Sequence, residues 1–138
     1  MKKKIAILGS TGSIGKTLIE IIKKDKKNFE VILLTAHKSY KEILKQAKIL
    51  QVKNLIITDK KSYLNLSKNK LGKINIYNNY DSFNKIFKRK VDYVMSSISG
   101  INGLVPTIKI IRFTKKIAIA NKEAIICGWH LIKKDLKR

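Results

Sequence analysis

The feature that most restricts this chain is an apolar run closed by evenly spaced glycines: "KKIAILG" over residues 3–9, then "STGSIGKT" over 10–17. The run is apolar at consecutive positions, which suits a strand buried on both faces of a parallel sheet. Beyond the glycines, Ile14, Leu18, Ile21 and Ile22 recur at helical spacing while Lys16, Glu20, Lys23 and Lys24 take the other side. The order is strand, glycine turn, helix. Glycine permits positive φ and close backbone approach, and a helix start offers unpaired N–H groups, so such a turn can cradle a phosphate.

Spacing separates two kinds of cradle. A nucleoside-triphosphate loop needs glycine, four residues, then Gly-Lys-Ser/Thr. Counting back from Gly15, Lys16 and Thr17 puts Ser10 where that first glycine belongs. Gly9, Gly12 and Gly15 instead spell GxxGxxG, a relative of the dinucleotide fingerprint. The motif alone leaves open a purely structural strand-to-helix turn.

The alternation continues along the chain. "NFEVILLTA" (28–36) reads as a second strand, and "SYKEILKQAKILQ" (39–51) as a helix capped by Ser39 with Ile43, Leu44, Ala47 and Leu50 on one face. "NLIITD" (54–59) is a third strand followed by a short polar helix, and "INIYN" (74–78) a weaker fourth. "DSFNKIFKRK" (81–90) reads as a helix capped by Asp81, and "VDYVMSSI" (91–98) as a fifth strand. "GLVPTIKIIRF" (103–113) is a helix with Pro106 in its first turn, where proline is tolerated. "KIAIA" (116–120) is a sixth strand and residues 122–136 a final helix. This order predicts an α/β fold: one domain over 1–138 with a doubly wound, mostly parallel, Rossmann-like sheet and helices on both faces. Ligands of such sheets sit at the C-terminal strand edges, where residues 9–15, 35–41, 96–103 and 120–123 fall.

Composition excludes some alternatives. No apolar run approaches the roughly 20 residues needed to span a bilayer, and the single Cys127 allows no internal disulfide. Both agree with a cytoplasmic protein without a membrane partner. A formal charge of +22 would ordinarily point to nucleic acid. Here lysine outnumbers arginine 28 to 3 and isoleucine outnumbers valine 24 to 5, the bias of an A+T-rich coding sequence. The lysines are also spread over nearly every predicted helix instead of gathering among aromatic platforms, so a solvated basic surface is the better reading than a nucleic-acid footprint.

The end of the second strand indicates which dinucleotide would be held. NAD-preferring folds place an acidic side chain there for the ribose hydroxyls. Residues 31–41 contain no Asp or Glu, whereas His37, Lys38, Ser39 and Lys41 could meet a 2′-phosphate. The missing acid favours NADP.

Taken together, "ILGSTGSIG", "SGINGLVPT" after the fifth strand and "IANKEA" after the sixth resemble, in order and spacing, the N-terminal domain of the 1-deoxy-D-xylulose 5-phosphate reductoisomerase family. That family uses NADPH and a divalent metal, magnesium or manganese, to rearrange and reduce 1-deoxy-D-xylulose 5-phosphate to 2-C-methyl-D-erythritol 4-phosphate in the non-mevalonate isoprenoid pathway. By resemblance, Thr11, Gly12, Ser13 and Ile14 hold the cofactor pyrophosphate. His37, Lys38 and Ser39 lie around the adenosine phosphate, although His37 replaces a common Gly or Asn. Asn121 and Glu123 contact the cofactor and Lys122 meets the substrate, with Ala124 where serine is common.

The resemblance covers about the first third of such an enzyme, so the catalytic and C-terminal domains with their metal carboxylates are expected to be absent. The chain alone would bind NADPH without turnover. Implied partners are a separately encoded C-terminal part and, for the complete enzyme, a second copy in a homodimer. No catalytic residue and no metal ligand is assigned within 1–138.

Each of these positions has a plainer reading. Asn121 is a good helix N-cap, and Lys122 and Glu123 are ordinary first-turn residues. Glu123, Cys127 and His130 share a helix face, but three mixed ligands without a fourth make a poor metal site. Cys127 reads as a small packed residue and Trp129 as a core or interface ring. The alternatives in function are another NADP-dependent reductase of the semialdehyde dehydrogenase type, whose nucleophilic cysteine Cys127 matches poorly, and a basic nucleic-acid-binding module.

Overall fold

The computed structural model describes residues 1–138. Six strands form one sheet in the order β4-β3-β2-β1-β5-β6. They are β1 (Lys3–Leu8), β2 (Phe29–Ala36), β3 (Asn54–Ile57), β4 (Asn75–Tyr77), β5 (Tyr93–Ser96) and β6 (Ile117–Ile119). Every adjacent pair is parallel. The helices are α1 (Ser13–Lys24), α2 (Tyr40–Leu50), α3 (Lys60–Ser67), α4 (Phe83–Ile86), α5 (Leu104–Ile110) and α6 (Lys122–Leu136).

Two apolar layers explain the consecutive hydrophobic runs. Ile5 and Ile7 of β1 point into a cluster with Ile19 and Ile22 of α1 and Ile43 and Ala47 of α2. Ala6 and Leu8 point the other way, toward Phe83, Phe87 and Ile110. A strand with both faces covered has no polar side to alternate with. In β2 the register slips between Val31 and Leu33 opposite Ile5 and Ala6, so Ile32 and Leu33 both lie against the second layer.

Four local expectations differ from what is found. The buried stripe of α1 is Gly15, Ile19 and Ile22, while Ile14 and Ile21 are 44% and 55% exposed. Ile14, Leu18 and Ile21 are also spaced like a helix face, and they form a second stripe that lines a surface cavity with Met95 of β5. Ser39 occupies the N-cap position of α2, but its hydroxyl makes no cap bond. The helix foreseen over 81–90 shrinks to a 3-10 turn, Tyr80–Ser82, plus one turn of α4. Phe83 and Phe87 anchor it against Phe113, the like-charged Lys88, Arg89 and Lys90 follow, and Asp81 pairs with Lys109 at 2.6 Å instead of capping. The helix foreseen over 103–113 is α5 flanked by 3-10 turns Ile101–Gly103 and Ile111–Phe113, with Pro106 in its first turn as expected.

Candidate functional site at the sheet switch point

β1 pairs with β2 on one side and β5 on the other, and the chain leaves β1 toward one helical layer and β5 toward the opposite one. The two connections diverge, which opens a crevice beyond their C-terminal ends. Both connections are tightly held there. Gly9 has φ +78, and a Cβ on it would sit 3.0 Å from backbone atoms of Ser97 and Ile98. Its N–H donates to Thr35 Oγ1 at 3.0 Å. Ser10, fully buried, donates its N–H to the Thr35 carbonyl at 2.9 Å and accepts from Gln46 Nε2 at 2.9 Å. From the β5 side, Ser97 Oγ donates to the Leu8 and Gly9 carbonyls at 2.8 and 3.2 Å.

The outer part of the turn is free by comparison. Thr11 is half-buried, and Gly12, Ser13 and Ile14 are exposed. Helix α1 starts there with no side-chain cap and no acid in its first turn. The contrast within the molecule is informative: α3 is capped by Asp59, which accepts from Ser62 N at 2.9 Å, and α6 by Asn121, which accepts from Ala124 N at 3.1 Å. The amides opening α1 have no intrahelical acceptor, and none is supplied by a cap. A phosphate group fits this donor set and the field of the helix start.

The second group lies at the end of β2. His37, Lys38 and Ser39 are exposed, and His37 Nδ1 lies 2.8 Å from Thr58 Oγ1. The nearest acid, Asp59 at the end of β3, is committed to α3. Hydrogen bonds from the Ser62 N–H and then the Ser62 hydroxyl hold its carboxyl below the usual range, with smaller help from Lys38 and His37. Burial pushes the Tyr80 phenol up, against a smaller opposing effect of the Thr58 and Thr35 side chains.

The third group opens α6. Asn121 is 4% exposed, and its amide donates to the carbonyls of Ile98 and Gly100 while its oxygen caps Ala124. The amide is therefore spent on joining the β5 and β6 connections, the capping role foreseen as its plain alternative, and no side-chain donor is left for a ligand. Lys122 is exposed and Glu123 half-buried. All three groups thus reach the same sheet edge. The glycine turn joins the first to the second through Thr35, and the β5 connection joins it to the third through Ser97.

On α6, Cys127 is exposed, not packed, and Trp129 is 47% exposed, not a core ring. No three His, Cys, Asp or Glu side chains converge anywhere in the chain, and no helix is long and apolar enough to cross a membrane. Sequence reasoning missed Ser10, Thr35, Gln46 and Ser97, which hold the turn. Gln46 alone carried a signal, as a polar residue beside Ile43 and Ala47 on the buried side of α2.

Comparison with known proteins locates this arrangement. A family profile described as 1-deoxy-D-xylulose 5-phosphate reductoisomerase matches residues 5–128. The reductoisomerase of Pelagibacter ubique (strain HTCC1062) is 60% identical over 139 residues, covering 99% of this chain and 36% of that protein. A solved reductoisomerase from Zymomonas mobilis in complex with NADPH superposes with a TM-score of 0.89 at 28% identity, covering 99% of this chain and 36% of its own. Another, in complex with NADPH, fosmidomycin and magnesium, gives 0.87 at 27% identity, covering 98% of this chain and 34% of its own. The chain spans about a third of the length of the relatives it matches.

Proposed function

The chain belongs to the 1-deoxy-D-xylulose 5-phosphate reductoisomerase family, and on that premise we infer that it is the NADPH-binding part of such an enzyme. The observation that carries this reading is the start of α1, uncapped and free of acids, beside a turn whose polar groups are otherwise bonded inward.

In this reading Thr11, Ser13 and Ile14 present backbone N–H groups to the pyrophosphate, and Gly12, whose own N–H turns inward to the Gly9 carbonyl at 3.4 Å, leaves the approach clear. His37, Lys38 and Ser39 surround the 2′-phosphate of the adenosine ribose. Asn121 acts through the connections it ties together, Glu123 stands beside the cofactor path, and Lys122 is exposed for a phosphorylated sugar. Bound NADPH supplies a hydride. The chain's own residues would hold the pyrophosphate of the cofactor and the phosphate of its adenosine ribose. Magnesium or manganese belongs to the complete enzyme. The rearrangement and reduction of 1-deoxy-D-xylulose 5-phosphate, a homodimer, a partner carrying the remaining domains and a cytoplasmic location complete the proposal.

Titration of the purified chain with NADPH and NADH, followed by cofactor fluorescence, tests it. Charge-assisted hydrogen bonds to the 2′-phosphate contribute about 1.5–3 kcal/mol each, so NADPH should bind roughly 10- to 100-fold more tightly. Equal or reversed affinity would refute the assignment.

A further inference from the structure

The edge of the sheet opposite the glycine turn holds a second concavity. β1, β5 and β6 lie side by side, and each is entered from a segment that carries cations: Lys2 leads into β1, Lys88, Arg89 and Lys90 into β5, and Lys115 into β6. The sheet fixes these entries against one another. Asp92 N–H donates to the Lys4 carbonyl at 2.9 Å, Lys115 N–H to the Val91 carbonyl at 2.9 Å, and Val91 N–H to the Phe113 carbonyl at 2.8 Å. Between them lies a cavity of about 570 Å³, within the size range of small-ligand sites. β1 has six residues, so at about 3.3 Å per residue the cavity lies roughly 20 Å from the glycine turn.

Its charge is one-sided. Lys2, Lys4, Lys88, Arg89, Lys90 and Lys115 line it, against the single acid Asp92. That acid is already used, since it pairs with Lys115 at 2.8 Å and accepts the Lys4 N–H at 2.9 Å. The other five cations are exposed and take part in none of the chain's ion pairs. A cavity lined by one sign of charge concentrates counter-ions, and the repulsion among its cations is relieved by an anion from outside. Three segments far apart in sequence contribute to it, which separates this gathering from the lysines spread over the helices.

Two features set the kind of anion. A single phosphate group carries about −1.5 to −2 charges at neutral pH, well short of five cations, whereas two or three linked phosphates approach that count. The one aromatic ring in the wall, Phe87, is 6% exposed and packed beside Phe83 and Phe113, so it offers no platform on which a nucleic-acid base could stack. We propose that this cavity binds a compact oligophosphate, a di- or triphosphate anion, at the end of the sheet remote from the cofactor crevice.

Calorimetric titration of the full 138-residue chain with tripolyphosphate tests it, at about 0.15 M salt, where charges more than about 8 Å apart are largely screened. One tripolyphosphate should bind per chain, with orthophosphate weaker by about tenfold or more. Lys88→Gln, Arg89→Gln and Lys90→Gln combined should weaken tripolyphosphate about tenfold or more. Lys60→Gln, Lys61→Gln and Lys68→Gln combined remove the same charge from exposed positions on and just after α3 and should leave the affinity within about twofold, because those charges are screened from the cavity. Saturating NADPH should not displace the anion. Equal weakening in the two triple variants would overturn the proposal, as would a parent chain that shows no saturable binding. Displacement by NADPH would place the anion at the cofactor crevice instead. A single-stranded RNA oligonucleotide that binds more tightly than tripolyphosphate, and is lost in the Lys88–Lys90 variant, would replace the small anion by nucleic acid.

Discussion

Gly12 and Gly15 offer the sharpest test of the site, because adding a side chain should do different things three residues apart. Gly12 has φ −77 and ψ 173, extended backbone that any residue adopts. A Cβ on it would meet only the Gly9 carbonyl at 3.7 Å, ordinary contact. Gly12→Val should therefore fold, with a stability change within about 0.5 kcal/mol. Its isopropyl group would stand on the exposed side of the turn and keep a pyrophosphate from the α1 amides. Losing two charge-assisted bonds of about 1.5–3 kcal/mol each lowers NADPH affinity by 100-fold or more, on the order of the whole useful range. A Cβ on Gly15 would fall 2.3 Å from the Gly9 carbonyl oxygen, 2.6 Å from Ser10 Cα and 2.8 Å from Ser10 C. These are backbone atoms of a turn held by Thr35, Gln46 and Ser97, so they cannot yield as a side-chain end would. Overpacking of about 3 kcal/mol, less about 1 kcal/mol of helix propensity gained by alanine, leaves Gly15→Ala near 2 kcal/mol less stable. For a domain of this size that is roughly 6–10 °C in melting temperature. Thermal unfolding by circular dichroism and NADPH fluorescence titration on both variants separate the two effects. A folded Gly12→Val chain with undiminished NADPH affinity would show that the turn is structural only, and a Gly15→Ala chain as stable as its parent would refute the claim that the turn is rigid.

Lys38→Glu places a carboxylate beside the proposed 2′-phosphate and should weaken NADPH more than NADH in the same titrations; an equal loss of both would remove Lys38 from that role. Ile22, 2% exposed, and Ile21, 55% exposed, are neighbours on α1. Ile22→Ala should cost about 2–4 kcal/mol in urea unfolding, and Ile21→Ala should stay within about 0.5 kcal/mol. The folded chain holds the carboxyls of Asp59, Asp81 and Asp92 below their ordinary range, chiefly through bonds from Ser62, Lys109 and Lys115 respectively. A lowered folded value means stability fully present above the unfolded carboxylate range of about pH 4 and lost as pH falls through the folded values. The urea midpoint should therefore be flat from pH 7 to about 5 and drop on further acidification, and a drop that starts near neutrality would point to other groups.

The elements visible in the sequence were those whose signal is covalent and local. Consecutive apolar residues in β1 and β2, the glycine turn and the start of α6 at Lys122 all follow from the residues themselves. Periodicity failed where two faces compete. On α1 the stripes Ile14–Leu18–Ile21 and Gly15–Ile19–Ile22 have the same spacing, and only the close approach of Gly15 to the turn decides which is buried. The segment 81–90 failed for a tertiary reason, because packing of Phe83 and Phe87 against Phe113 overrides the propensity for a longer helix. The candidate residues lie along the C-terminal edge of the sheet, where the order of strands and helices puts them. Their division of labour was hidden, since whether Asn121 meets a ligand or a carbonyl depends on where a connection from β5 happens to run.

That division of labour explains how a site made of loops can be ready for a ligand. Four side chains tie the connections together: Thr35 and Gln46 hold Gly9 and Ser10, Ser97 holds Leu8 and Gly9, and Asn121 holds Ile98 and Gly100. Each such bond contributes only about 1 kcal/mol net, yet leaving any of these buried groups unpaired would cost more. The bonds satisfy the inner polar groups of the turn from within the protein, so the groups left over are the outward amides at the start of α1. Ordering a loop on binding would consume part of the affinity for a ligand, and a turn bonded in this way leaves less to order. The buried, bonded residues set the shape of the cradle, and the exposed residues Gly12, Ser13 and Ile14 can then be judged by what they leave open. For the same reason, mutation of the ties should lower stability and cofactor affinity together, whereas mutation of the exposed turn should lower affinity alone.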